Sequence, residues 1–313
     1  MRQERKRRLS PEAWTIVIYI IASILSVLFT EGLTSSGYQG SSSTSESFGY
    51  FIIYIVATIF ITLLILFLAR RKKGKPIKYV FLFVMVYVVF FVALVVADYA
   101  YAYLQYFFLY IIYTPFPQLP NMLTADFYLI WLIPPALIGY ELFTKPNWIV
   151  VNITGLIMAI GIASIWSLFL GVWFALALLI ILAVYDYISV FKTKHMITLA
   201  KVALDESIPM LFVVPESYDF DMSSLSIENR GENKAVLLGF GDVAIPTVLV
   251  VSSTVYGTGK ALAPAFFFLP FVGGIIGMIY LMFFMKRRPA PGLPAINGGV
   301  IGGFVLALIL SML

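Results

Sequence analysis

The sequence predicts an all-α polytopic membrane protein with nine transmembrane helices. Three observations carry this. The chain of 313 residues is 61% hydrophobic and only 12% charged, about half the charged share of a soluble domain, ~25%. Its apolar residues fall in long blocks that are apolar on every side, without a helical or strand period. Each block holds about 20 residues, the length that crosses ~30 Å of hydrocarbon.

In order, the blocks are Trp14–Thr30, Tyr50–Leu68, Tyr79–Ala97, Phe127–Phe143, Trp148–Leu168, Gly171–Val190, Val236–Val255, Ala261–Met285 and Pro294–Met312. The aromatic stretch Tyr99–Phe116 either extends the third helix or lies at the interface as a belt. A separate span there would make ten and invert every later helix. Charge arbitrates. With nine spans, 20 of the 21 Lys and Arg residues fall on one side, and the other side receives only Lys260. The positive-inside rule then places the N-terminus in the cytoplasm and the C-terminus outside. The basic N-terminus leads into a first apolar block with no small-residue cleavage site, which reads as a retained helix.

Three regions follow from this layout. Residues 1–190 form six spans, 191–235 a cytoplasmic loop, and 236–313 three further spans. Gly32–Gly49 is Ser/Gly-rich and reads as a flexible outer loop. In the cytoplasmic loop, Lys192–Glu206 could form an amphipathic surface helix. Ile208–Val214 could pair as a strand, and Glu216–Glu232 is polar and acidic.

Composition also excludes chemistry. With no Cys, there are no disulfides, thiolate metal sites or cysteine nucleophiles. With His195 as the sole histidine, neither a Ser–His triad nor a multi-His metal site is expected. No cofactor and no metal are expected. The basic clusters flank membrane spans, so orientation and anionic lipid account for them, and no nucleic-acid partner is expected.

Two carboxylates need an explanation. A charge at mid-membrane costs ~2.5–3.5 kcal/mol on insertion scales. Asp186 stands in Leu182–Tyr187 and Asp242 in Leu238–Val243, each inside an apolar block. By helical rise, Asp186 lies ~9 Å from Lys192, and Asp242 ~12 Å from Lys234. Consecutive antiparallel spans thus bring both to a similar depth, toward the cytoplasmic side. Two carboxylates held close share one proton. One can then activate water while the other polarises a carbonyl, the requirement for amide hydrolysis. Gly239 and Gly241 would let a substrate backbone approach. The same acids could instead form an ion path in a transporter or channel, though no inverted repeat with paired broken helices is visible. A non-catalytic interaction protein would leave the level pair a coincidence.

A third element precedes the last span, Pro291–Gly292–Leu293–Pro294–Ala295–Ile296–Asn297. Pro294 either re-enters the membrane as non-helical backbone lining a cavity or starts the helix. Gly298/Gly302, Gly299/Gly303 and Gly273/Gly277 make small-xxx-small pairs that favour close helix packing.

Together these elements resemble the presenilin and signal-peptide-peptidase family of intramembrane aspartyl proteases. That family shows Tyr-Asp in the sixth helix, Gly-x-Gly-Asp in the seventh and Pro-Ala-Leu before the ninth. Here Tyr185–Asp186, Gly239–Phe240–Gly241–Asp242 and Pro294–Ala295–Ile296 stand in those places, with Ile296 where Leu is usual. Pro134–Pro135–Ala136–Leu137 carries the letters but lies in the fourth span. The resemblance implies Asp186 and Asp242 as the catalytic pair, with Tyr185, Gly239, Phe240, Gly241, Pro294, Ala295 and Ile296 supporting the site or the substrate. It implies cleavage of single-span transmembrane substrates in the bilayer. The inferred orientation looks like presenilin. The style of the chain suggests a microbial homologue in the cell membrane, with no obligate partner subunit and with room for a homo-oligomer.

Overall fold

The computed structural model describes residues 10–35, 37–38, 40–41, 43–70, 74–110, 131–144, 147–192, 210–222, 235–284 and 291–313. Among them are eight helices and two short strands. In chain order they are α1 (Pro11–Ser35), α2 (Thr44–Arg70), α3 (Gly74–Tyr110), α4 (Ile133–Thr144), α5 (Trp148–Phe191), β1 (Leu211–Pro215), β2 (Ala235–Gly239), α6 (Phe240–Gly257), α7 (Ala265–Phe284) and α8 (Gly292–Leu310). Seven of the helices are long and apolar enough to cross a membrane. Most of the proposed Lys192–Glu206 surface helix, and His195, lie outside the described residues.

Eight helices stand among the described residues, beside the nine spans expected. Two expected spans join in α5, a helix of 44 residues broken at Gly171, whose φ of 63° is open to glycine and strained for other residues. The chain turns back at this break. A Cβ on Gly155 would collide with the ring of Phe240, while Asp186 interacts with Asp242, two residues further along. Gly155 and Asp186 are 31 residues apart, and an unbroken helix would separate them by ~46 Å. The aromatic stretch after Ala97 continues the third helix to Tyr110.

A second departure concerns the expected span Val236–Val255. Residues Ala235–Gly239 are extended, and they pair antiparallel with β1 in the register Leu211↔Gly239, Val213↔Leu237, Pro215↔Ala235. The apolar run on either side of 240 hides the change, because a buried strand and a buried helix look alike in composition. Helical rise therefore does not apply between Lys234 and Gly239, and Asp242 stands in the first turn of its helix.

The core closes around this corner. Tyr19 of α1, Phe212 of β1, Phe240 and Val243 of α6, and Ile296 of α8 belong to one buried cluster. Hydroxyls tie helices across the apolar interior. Ser164 Oγ donates to the Ser26 carbonyl at 3.0 Å, and Ser23 Oγ lies 3.4 Å from Thr247 Oγ1. Of the glycine pairs, Gly273/Gly277 and Gly299/Gly303 make close helix contacts, while a Cβ at Gly298 or Gly302 would meet nothing among the described residues. Cβ atoms at Gly273 and Gly299 would each run into the other residue's carbonyl, so α7 and α8 pack backbone against backbone.

Candidate active site

Asp186 sits near the end of the second limb of α5 and is 2% exposed. Its Oδ2 accepts a hydrogen bond from the backbone N–H of Leu293 at 3.2 Å. Leu293 is the second residue of α8, where helical amides have no carbonyl partner of their own. Asp186 therefore supplies the acceptor that the N-terminus of α8 lacks, and the positive end of the helix faces the carboxylate. Oδ1 of Asp186 is buried and accepts nothing from the described residues.

Asp242 is the third residue of α6. Its Oδ2 accepts from the N–H of Gly239, the residue that caps the same helix, at 3.2 Å. Each carboxylate thus lies at a helix N-terminus and receives one backbone amide. Gly292 closes the arrangement. A Cβ there would lie 2.9 Å from both Cγ and Oδ2 of Asp242. Consecutive residues of one chain segment therefore touch both carboxylates, Gly292 on Asp242 and Leu293 on Asp186.

The remaining sequence-predicted residues take different places. Phe240 packs edge-on against Phe212, with ring centroids 4.7 Å apart, and its ring lies over Gly155. It anchors the start of α6, which carries Asp242. Gly239 ends β2, and a Cβ there would sit 3.1 Å from Asp242 Oδ2. Gly241 is exposed, and a Cβ on it would meet only Ile245 at ordinary contact distance. Tyr185 is 37% exposed, with its carbonyl accepting from Ser189 Oγ at 2.7 Å.

Pro294 is helical, so of the two readings of this residue the helix start is the one observed. Ala295 and Ile296 pack against Gly277 of α7. The contacts to the carboxylates come from three residues earlier, Pro291–Gly292–Leu293. That triplet has the first and last letters of Pro-Ala-Leu, with glycine in the middle. The first proline-containing triplet in the segment was the signal that could have found it.

Sequence reasoning also missed Asn152, a lone amide in an apolar block. Its Nδ2 donates to the Val213 carbonyl at 2.7 Å, and its Oδ1 accepts from the Val213 N–H at 2.8 Å. Val213 is therefore turned away from β2. The Phe240 N–H, on the same alternation, donates to the Met210 carbonyl at 3.3 Å. Antiparallel pairing alternates, so Leu237, opposite Val213, points its N–H and carbonyl away from β1. One edge of the sheet is closed by Asn152. The other, at Leu237, has no hydrogen-bond partner among the described residues.

Residues 16–313 match the family described as signal-peptide peptidase, presenilin aspartyl protease. Two solved structures of a presenilin family intramembrane aspartate protease, in space groups C222 and P2, are similar. Each is 25% identical over 96% of this chain and 99% of the other, with TM-scores of 0.63 and 0.59. No curated protein sequence matches the chain.

Proposed function

Because the chain belongs to the signal-peptide peptidase and presenilin aspartyl protease family, we propose that it cleaves single-span transmembrane helices with Asp186 and Asp242 as its catalytic pair. It is a multi-pass intramembrane aspartyl protease, and its own geometry supports assigning the chemistry to these two residues. The observation that carries the assignment is the Gly292–Leu293 segment, which touches both carboxylates.

One carboxylate is ionised and takes a proton from water as the water oxygen bonds to the scissile carbonyl carbon. The other is protonated and gives its proton to the carbonyl oxygen. In the resulting gem-diol the C–N bond breaks as the nitrogen takes the proton held by one carboxylate and a gem-diol hydroxyl gives its proton to the other, which leaves a carboxylic acid, an amine and a singly protonated pair. The two positions titrate as a unit, so the roles belong to the pair.

A helical substrate hides its amides in internal hydrogen bonds, so it must unwind before it is cut. We place the unwound segment on the Leu237 edge of β2, by strand addition. Asn152 occupies the β1 edge, and β2 ends at Gly239, whose N–H is already on Asp242. A strand paired there leads directly to the carboxylates. Pro294–Ile296 are helical and do not serve as a second edge.

The basic residues support an orientation with the N-terminus cytoplasmic, residues 191–235 in the cytoplasm and the C-terminus outside. The catalytic corner then opens toward the cytoplasm, the source of water. A microbial cell membrane fits the chain, with no other subunit required.

The test is purified protein, alone in detergent, with a single-span substrate, beside Asp186→Asn and Asp242→Asn. Peptide products from the parent and from neither variant support the reading. An intact substrate with the parent, or cleavage by either variant, overturns it.

A further inference from the structure

The start of α8 meets the second limb of α5 at two polar points. Leu293 N–H donates to Asp186 Oδ2 at 3.2 Å. One turn later, Asn297 Nδ2 donates to the carbonyl of Leu179 at 2.9 Å. Leu179 lies two turns before Asp186 on α5. Asn297 is fully buried, and its Oδ1 has no partner among the described residues.

We propose that Asn297 is a positioning residue, which fixes the rotation and register of α8 on α5 so that the Leu293 amide stays on Asp186. This rests on the protease reading and deepens it. Three observations support it. First, packing alone does not explain the amide. A leucine has the same branched four-atom shape, with bulkier methyl ends, and would leave no buried oxygen without a donor, an omission that costs stability. Second, near Asn297 the α7 side of α8 packs largely through glycines, and the buried Phe304, whose ring meets Phe266 of α7, lies two turns further on. Gly299 rests on the Gly273 carbonyl, and Gly303 on the Leu269 carbonyl. Contacts of this kind bring the two backbones close. Third, a hydrogen bond has direction where apolar contact has none. The Asn297 bond lies one turn from the Leu293 bond, so a shift of α8 that breaks one strains the other.

A residue with this role alters the rate of the chemical step more than substrate affinity or global stability. The test compares Asn297→Leu, Asn297→Ser and Asn297→Gln with the parent, as purified full-length protein on one single-span substrate. Asn297→Leu adds bulk at a fully buried site and is expected to lower the melting temperature by a few degrees. Its kcat should fall about tenfold to hundredfold, the cost of ångström-scale misplacement, with KM within about twofold. Asn297→Gln, which keeps the donor, should recover part of the loss. If Asn297→Leu does not fold, Asn297→Ser carries the same expectation.

A parent-like kcat in the Leu variant, or in Ser where Leu does not fold, overturns the inference. So does a loss that tracks melting temperature across the series without rescue by Gln. If the parent itself leaves the substrate whole, the protease reading fails and the inference with it. A parent that cleaves beside unaffected variants sinks the inference alone.

Discussion

Leu293 holds Asp186 by its backbone amide, at 3.2 Å, and not by its side chain. Its neighbour Gly292 meets Asp242 at the one position where a side chain would begin. The segment therefore addresses both carboxylates with main chain. Sequence changes there act on the acids through backbone position and through the bulk placed at residue 292.

The bulk tolerated at residue 292 should be small and sharply limited. A Cβ would lie 2.9 Å from Asp242 Cγ and Oδ2, a clash relieved if the Asp242 side chain shifts by a few tenths of an ångström. Gly292→Ala is expected to keep most activity. Gly292→Val adds two branched methyls that no such turn accommodates, and should lower kcat by about hundredfold or more. Cleavage assays on the two variants side by side decide this. An active valine variant would show that Asp242 is not held against residue 292.

Gly155 gives a second steric test, remote in sequence from both acids. Any Cβ there meets the Phe240 ring, and Phe240 is the first residue of the helix that carries Asp242. Gly155→Leu should push the ring out and shift the start of α6. The expected cost is about 1–3 kcal/mol from overpacking, read as a lower thermal midpoint, together with loss of cleavage. The double variant Gly155→Leu/Phe240→Ala opens space for the leucine, and should recover stability relative to Gly155→Leu.

Asn152 should be a stability residue. Both of its amide groups are spent on Val213, which is 1% exposed. Asn152→Ala leaves a buried N–H and a buried carbonyl without partners, at about 1–3 kcal/mol for each group that water cannot reach. A thermal melt in detergent measures it. Asn152→Asp should also fall short of the parent, because it keeps the acceptor for the Val213 N–H but sets a second oxygen against the Val213 carbonyl.

Much of this architecture was legible in the sequence, for physical reasons. Apolar blocks of bilayer length announce spans, and an acid inside such a block stands out because burying it is costly. Asp186, Asp242 and the family likeness followed from that contrast. What escaped notice lacked contrast. The strand at Ala235–Gly239 is as apolar as the helix it precedes, so composition did not separate them. Two proline triplets stand side by side before the last span, and composition does not show that Gly292 and Leu293 of the first meet the carboxylates. Asn152 and Asn297 each touch a backbone group that is distant in sequence, 61 and 118 residues away, and such pairings leave no local trace.

The sheet edge offers the most selective test of substrate docking, because proline can be set on either side of the same strand. Leu237 turns its N–H away from β1, while Leu238 pairs with Phe212 on the hydrogen-bonded side. Proline removes a donor and is tolerated in a sheet only where that donor is not used by the ladder. Leu237→Pro should therefore leave β1 and β2 paired and the thermal midpoint close to the parent's. It removes an amide that an added strand would bond, so KM should rise, by about tenfold for one lost backbone hydrogen bond of ~1.4 kcal/mol. Leu238→Pro breaks the sheet itself. It should lower the thermal midpoint and abolish cleavage, since β2 leads into the residue that caps the Asp242 helix. Steady-state cleavage and thermal melts on both variants separate the two effects. Parent-like KM in a stable Leu237→Pro variant would place the unwound substrate somewhere other than this edge.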